Sequence, residues 1–352
     1  MTEPGGLQTG QLETLIVLAM TADRDLNRRI TDIIKPLVPP DAEEKVQRAY
    51  RQFNQIIREH IRNETGLRLT DGDGRSVGLP IKIVDGFPAG FAKLIDRYQD
   101  PVLWRLIVGQ PKLARLMDGL KFVISEWSAI EAWAGLPEPA RGARPHLDRT
   151  WEAGASLQKA AIVEDIRKQL REINEDILGA YIYPPGRAPW IELYWMPIAM
   201  TAGMLEVEIA DLALVTMAHE LAHGYTHQGH DIDGQTWDIA TFRAADLRIK
   251  EGLAQFYAQT IADKVAIRAP GMRKAFDEML KLQSGPYTVH TQWLKDDPAT
   301  QTKRQPSQRG EIVRFTMIAA RSTKGLTYDA WTAMLNATQT RFSASTSEDE
   351  VL

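Results

Sequence analysis

Four of the seven histidines of this chain lie within twelve residues, at positions 219, 223, 227 and 230. Two of them belong to the pattern His219-Glu220-Leu221-Ala222-His223, which lies in a predicted helix. Side chains four residues apart on a helix lie about 40° apart on one face, so both imidazoles can reach one metal ion. The H-E-x-x-H spacing therefore predicts a Zn²⁺ site with His219 and His223 as ligands.

The glutamate between these histidines has the chemistry of a general base. Glu220 lies about a quarter-turn round the helix from His219, beside the coordination position that protein ligands leave open. Its carboxylate can take a proton from a metal-bound water and pass it to a leaving amine. The flanking residues are largely apolar, which predicts a buried helix. A metal ion supplies the partner that buried ionisable groups require.

A third ligand is expected from a second predicted helix. Glu251 lies 28 residues after His223, in the segment Glu251-Gly252-Leu253-Ala254-Gln255-Phe256. Together the two segments resemble the gluzincins, thermolysin-like and aminopeptidase-like zinc peptidases in which a glutamate from a following helix completes H-E-x-x-H. The resemblance implies a zincin-like metallopeptidase domain in which His219, His223 and Glu251 bind one Zn²⁺ per chain.

The specific motifs of this resemblance cover residues 217–257, and a looser order of elements extends it from about residue 150 to 338. Many gluzincins carry an aspartate four residues after the glutamate ligand, where this chain has Gln255. Its side-chain oxygen can accept an imidazole N–H, but without a carboxylate charge. The aminopeptidase signature that binds a substrate amino terminus is absent, so no exopeptidase assignment follows.

Other third ligands are possible nearby. The metzincin pattern requires a glycine and a histidine where this chain has Thr226 and Gly229, so that class is not expected. His230 or Asp233 could coordinate if the helix ended early, and their segment loosely resembles the zinc proteases of DNA–protein crosslink repair. Otherwise His227 and His230 are predicted to line the cleft or to be solvated.

A zinc peptidase also needs a hydrogen-bond donor for the oxyanion of its tetrahedral intermediate. The segment GPYTVHTQW, downstream of Glu251, offers Tyr287 and His290. Either side chain is a candidate catalytic residue. An ordinary aromatic surface turn is the alternative interpretation of this segment.

Composition narrows the chemistry further. The chain has 352 residues and no cysteine, which excludes disulfides, thiolate zinc sites and cysteine nucleophiles. With 42 basic and 46 acidic residues its net charge is −4, so no nucleic-acid partner is expected. The N-terminal sequence does not look like an export signal, and no uncharged stretch is long enough to span a bilayer. We expect a cytoplasmic protein with no membrane association.

The predicted fold class is α+β and mainly helical. Residues 1–145 are predicted to form a helical N-terminal region that ends in a segment rich in proline and glycine. Residues 150–338 are predicted to form the zincin-like catalytic domain with a small mixed sheet, and residues 339–352 a flexible tail. Residues 190–200 are predicted to be an edge strand, because Pro197 is tolerated mainly at sheet edges. A substrate is expected to lie extended along this strand.

These features predict a zinc-dependent metallopeptidase that hydrolyses a peptide or protein substrate. Two alternatives stay open, a catalytically silent zinc-binding or sensing module and a zinc hydrolase of non-peptide amides. A fourth protein ligand such as His230 favours the first alternative, because structural zinc sites are closed. A closed pocket in place of an open cleft favours the second. The sequence predicts neither the oligomeric state nor the substrate.

Overall fold

The computed structural model describes residues 24–69, 78–133, 142–172, 177–184, 186–293 and 306–349. Helices dominate this part of the chain, and the strands form one 3-stranded mixed sheet. The predicted fold class, mainly helical α+β with a small mixed sheet, is therefore confirmed. Within the described residues no helix combines the length and the apolarity needed to cross a membrane.

The chain forms two compact units, each built from separate stretches of sequence. The first takes in the described residues of Met1–Pro40, Gly86–Ile177 and Ala199–Glu206. The second takes in those of Asp41–Asp85, Leu178–Ile198 and Val207–Leu352. Residues 41–85 thus cluster with the histidine-bearing part of the chain, although they lie within the predicted N-terminal region 1–145. Residues 135–141, the first part of the proline- and glycine-rich segment that ends this region, lie outside the described residues.

The regular elements among the described residues of the first unit are all helical. Its helices are α1 (Arg24–Ile34), α3 (Ala89–Arg97), α4 (Pro101–Ser125), α5 (Trp127–Glu131), α6 (Arg144–Gln158) and α7 (Ala161–Glu172), with a 3-10 turn at Lys35–Leu37. Helix α4 begins where the Asp100 side chain accepts a hydrogen bond from the Val102 amide at 2.8 Å. Trp104, fully buried, packs edge-on against Phe91 and anchors this core.

The second unit contains all the residues predicted to do chemistry. Its elements are α2 (Ala42–Thr65), β1 (Ile81–Val84), β2 (Gly179–Ile182), β3 (Trp190–Tyr194), α9 (Ile209–Gln228), α10 (Ile239–Ala244), α11 (Leu247–Lys264), α12 (Pro270–Leu282), 3-10 turns at Gly285–Tyr287 and Val289–Gln292, α13 (Pro306–Ala320) and α14 (Tyr328–Asp349). Helix α8 (Trp195–Leu205) is divided between the units at residue 198. Helix α14 runs through much of the expected flexible tail.

The sheet has the order β1-β3-β2, with β3 parallel to β1 and antiparallel to β2. The prediction of an edge strand at residues 190–200 is therefore wrong. Strand β3 is central and ends at Tyr194, where α8 begins. Pro197 lies in the first turn of α8, where a helix needs no backbone N–H, so it neither breaks the helix nor marks a sheet edge. The edges are β1 and β2.

Helix α9 is the centre of the second unit. Residues 212–227 are all buried, and the helix packs against α2, α11, α12 and strand β2. A helix that is apolar on every side must be enclosed by other elements. The polar residues of the H-E-x-x-H pattern are therefore held inside the protein.

Arg321 holds the C-terminal end of α9. Its buried guanidinium donates hydrogen bonds to the backbone carbonyls of Thr226, Gly229 and Gln235, the first at 3.2 Å and the last at 3.0 Å. It also lies 3.9 Å from the Asp231 carboxylate. The last carbonyls of a helix have no partners within the helix, so this arginine satisfies groups that would otherwise be unpaired. The same contacts fix the course of residues 229–235.

His227 is buried, which differs from the prediction that it lines a cleft or is solvated. Its Nδ1 lies 2.9 Å from the Tyr181 hydroxyl, and its ring stacks on Phe242 with the centroids 4.4 Å apart. Burial, helped by the nearby Arg243 charge, lowers the pKa of His227 to about 4. The imidazole is therefore neutral in the folded protein at neutral pH.

This burial predicts a specific loss of stability in acid. A histidine in the unfolded chain has a pKa of about 6.5. Between pH 6.5 and about pH 4, His227 is therefore protonated in the unfolded chain but stays neutral in the folded protein. The stability that the neutral His227 contributes to the free energy of unfolding is fully present above pH 6.5. It decreases as the pH falls, by about 2 kcal/mol at pH 5. We expect the free energy of unfolding, measured in urea with EDTA, to fall less between pH 7 and pH 5 in His227→Gln than in wild type. Equal losses would contradict the assignment.

Candidate metal centre

Two helices bring three ligand atoms together. His219 and His223 project from α9 with their Nε2 atoms 3.1 Å apart. The Oε2 atom of Glu251, on α11, lies 3.3 Å from each of these nitrogens. Among the described residues, these three are the one group of histidine, cysteine or acidic side chains with the proximity that a metal ion requires.

The triangle of atoms fits a tetrahedral ion. A zinc ion about 2.05 Å from each ligand in tetrahedral geometry separates the ligand atoms by roughly 3.3 Å. The observed edges of 3.1 and 3.3 Å match that separation. Glu251 Oε2 is buried and makes no hydrogen bond of normal geometry to any described residue, although two imidazole nitrogens face it. Three electron-rich atoms that converge on one point are suited to share a cation.

The three candidate ligand side chains are shielded from solvent, and the two imidazoles affect the pKa of the carboxyl group. His219, His223 and Glu251 are respectively 4%, 5% and 6% exposed. Burial alone raises the pKa of the Glu251 carboxyl, but the His223 and His219 imidazoles outweigh burial and hold that pKa below its usual range. Glu251 is therefore ionised, as a metal ligand must be.

The position of Glu251 depends on how α11 begins and packs. The Asp246 side chain accepts a hydrogen bond from the Arg248 amide at 2.9 Å, which caps the helix one turn before Glu251. Gly252 then allows a close approach. A Cβ at this position would lie 2.6 Å from Trp293 and 2.8 Å from Val289, so any side chain would push away the segment that carries His290.

The candidate general base is enclosed by strand β2. Glu220 is 1% exposed and follows His219 directly on α9. A Cβ on Gly179, in β2, would lie 2.9 Å from Glu220 Cγ and 3.1 Å from Glu220 Oε1. The strand thus lies directly against the carboxylate because its residue at this point has no side chain. Gly179 was not among the predicted site residues, although a glycine within a strand pattern is a signal of close backbone approach.

The two candidate oxyanion donors differ in what they can offer. The Tyr287 ring lies against His219, with centroids 6.2 Å apart and planes nearly parallel. His290 is buried, and its Nδ1 is 3.1 Å from the Tyr287 carbonyl oxygen, which can only accept a hydrogen bond. The Nδ1 atom therefore carries the proton. Burial lowers the pKa of His290 to about 4, so its Nε2 has no proton to donate at neutral pH. The arrangement favours Tyr287 over His290.

The alternative third ligands lie elsewhere. His230 forms a backbone bridge with Arg68, and its ring Nδ1 is 2.9 Å from the Gly234 carbonyl. Asp233 is exposed in the following turn. Neither joins the three described residues that could hold a metal ion. Gln255 donates from Nε2 to Gln283 at 2.9 Å, and its Oε1 has no hydrogen-bond partner in the described part of the chain, so the predicted contact with a ligand imidazole is not seen.

Comparison of the chain with protein-family models, with curated proteins and with solved structures gives no match. The chemistry of this site therefore has to be argued from its own geometry.

The contact at Gly179 yields a stability prediction. Gly179→Ala brings a methyl group within 2.8 Å of Thr216 Cγ2 as well as against Glu220, so the strand or the helix must move. We expect a loss of about 1–3 kcal/mol in the free energy of unfolding, measured with urea. Gly310→Ala, in α13 of the same unit, is the control because its new Cβ makes only an ordinary contact with Glu64. Similar stabilities for the two variants would refute the close-packing argument.

Proposed function

We propose that this protein is a zinc-dependent metallopeptidase. The observation that carries the proposal is the convergence of His219, His223 and Glu251 in a buried site, with the buried Glu220 directly after His219 on α9. Two ionised or ionisable carboxylates beside paired imidazoles are costly in a protein interior unless chemistry or a cation requires them. A metal-dependent hydrolase requires both.

The donor set favours zinc. Two imidazole nitrogens and one carboxylate oxygen in near-tetrahedral positions suit Zn²⁺, whereas Mg²⁺ and Ca²⁺ prefer oxygen ligands alone. Three protein ligands are typical of catalytic zinc sites, because the fourth position is left for water or substrate. No other histidine or acidic residue of the described chain joins the three, which argues against a closed structural site and a catalytically silent module.

The residues around the ligands supply the proton chemistry. A zinc ion bound here provides a Lewis acid and lowers the pKa of a water molecule. The Glu220 carboxylate accepts a proton from the attacking water and then donates it to the nitrogen of the leaving amine. The enclosed position of Glu220 beneath β2 keeps its carboxylate in one orientation and limits competing water. The Tyr287 hydroxyl donates a hydrogen bond to the oxygen of the carbonyl under attack.

Strand β2 supports the choice of a peptide substrate. In the described residues β2 pairs only with β3, so its other edge presents backbone groups that an extended chain can use. Gly179 sets that strand directly against the general base. A peptide bound as an added strand therefore passes beside Glu220. The outer edge of β2 replaces residues 190–200 as the proposed substrate-binding strand.

Metal content tests the ligand set. We expect elemental mass spectrometry to find about one zinc per chain in wild type and in Asp233→Ala, and a loss of most of it in Glu251→Ala. The reason is that Glu251 supplies one of three ligand atoms, whereas Asp233 is an exposed turn residue. Full zinc in Glu251→Ala would exclude this carboxylate as a ligand. A wild-type protein that takes up no metal would refute the whole site.

Hydrolysis tests the general base. Glu220→Gln keeps the size of the side chain but removes its basic oxygen, so we expect cleavage of a peptide library, followed by mass spectrometry, to fall about 10²-fold or more with zinc retained. Glu208→Gln makes the same change at the exposed start of α9 and should leave turnover unaltered. Undiminished cleavage by Glu220→Gln would remove this mechanism. Cleavage of simple amides but of no peptide would favour the non-peptide hydrolase.

A further inference from the structure

A cavity of about 940 Å³ lies in the second unit, apart from the three candidate ligands. Its wall is formed by the C-terminal half of α2, by Arg68 in the segment that follows, by the segment that leads into β1, and by Tyr225 of α9. Tyr225 is two residues beyond His223, which places it about 160° round the helix from that ligand. The cavity therefore belongs to the opposite side of α9.

The cavity is strongly cationic. Asn54, Arg58 and Arg62 recur every four residues along α2 and so line one face of it. Helix α2 ends at Gly66 in a left-handed conformation, and the chain then adds Arg68 to the same wall. No acidic residue is among the described residues that line the cavity. Three arginines and no acidic residue thus belong to the described lining of this space.

Arg58 is held in a binding geometry by neutral groups. Its Nε donates to Asn54 Oδ1 at 2.7 Å and its Nη2 to the Leu79 carbonyl at 2.5 Å. Burial lowers the pKa of Arg58, and the adjacent Tyr225 hydroxyl offsets only part of that effect. The partners of this half-buried guanidinium in the described part of the chain are neutral and do not balance its charge. An anionic ligand would balance that charge.

Part of the remaining wall is apolar. Leu79, Pro80 and the ring of Tyr225 line the same cavity as the arginines. The volume is at the upper end of the range for small-molecule pockets, larger than a single inorganic anion needs. A ligand that fits both walls has an oxyanion group at one end and an organic group at the other.

We propose that this cavity binds a small phosphorylated metabolite. The fork of an arginine guanidinium matches the oxygens of a phosphate in two parallel hydrogen bonds, and Arg58, Arg62 and Arg68 can share the charge of a diphosphate. The Asn54 amide orients Arg58, and Tyr225 with Leu79 packs on the organic group. This binding is independent of the proposed peptidase activity, because none of the residues that line the cavity is a candidate metal ligand. Only Tyr225 is close in sequence to one of those ligands, His223.

The test is isothermal titration calorimetry of the full-length protein with pyrophosphate and with ATP at constant ionic strength. We expect both to bind, and ATP to bind more tightly because its organic part contacts the apolar wall. The double variant Arg62→Ala/Arg68→Ala should bind at least tenfold more weakly, with an unchanged thermal unfolding midpoint because both side chains are exposed. Arg48→Ala, on α2 but paired with Glu44 outside the cavity, is the matched control and should bind as wild type does.

Several outcomes would overturn the proposal. No binding of either probe refutes the site, and citrate bound as tightly as pyrophosphate refutes the preference for phosphate. A single-stranded oligonucleotide bound more tightly than ATP would make the ligand a nucleic acid. Because phosphates also bind zinc, Glu251→Ala is titrated in parallel. Binding lost there and kept in the double arginine variant would place the probe at the metal centre instead.

Discussion

Three ionisable groups inside the protein determine how the second unit is built. The candidate ligand atoms of His219, His223 and Glu251 lie 3.1–3.3 Å apart, and all three side chains are buried. Imidazoles and a carboxylate in such a place must be held by well-packed surroundings, since each would otherwise be better solvated outside. Helix α9 is therefore enclosed along sixteen successive residues from 212 to 227 and is tied down at its end by Arg321. Helix α11 approaches its neighbours closely because Gly252 has no side chain.

The same helix separates two environments of opposite character. On one side of α9, carboxylates face a point where a cation fits. On the other, Tyr225 borders a cavity whose charged residues are arginines. A buried helix can border both environments because its close-packed backbone and side chains lie between them. Helix α2, which carries Arg58 and Arg62, packs against both α9 and α11, so its contacts with these two helices connect the two proposed sites physically.

Much of this site could be predicted from local sequence. The H-E-x-x-H spacing implies one face of a helix, and the structure brings Glu251 close to the two histidines on that face. Helix-rich patterns likewise indicated the mainly helical α+β class. The edge-strand prediction for residues 190–200 was wrong because the residue type on which it rested is compatible with two local structures. Pro197 is tolerated at a sheet edge and in the first turn of a helix, and only the pairing of β3 on both sides shows which one applies.

The sequence by itself determined the chemistry available: two histidines four residues apart, a glutamate between them, a second glutamate on a later helix, and no thiol that could compete. These properties depend on residue type and helical period, which are local. Tertiary structure alone decided that β2 and not β3 is an edge strand of the described sheet, that His227 is a neutral core residue, and that residues 41–85 join the histidine-bearing unit. It also decided that Gly179 makes room for Glu220. Each of these depends on contacts between segments far apart in the chain, and a local pattern does not specify which segments meet.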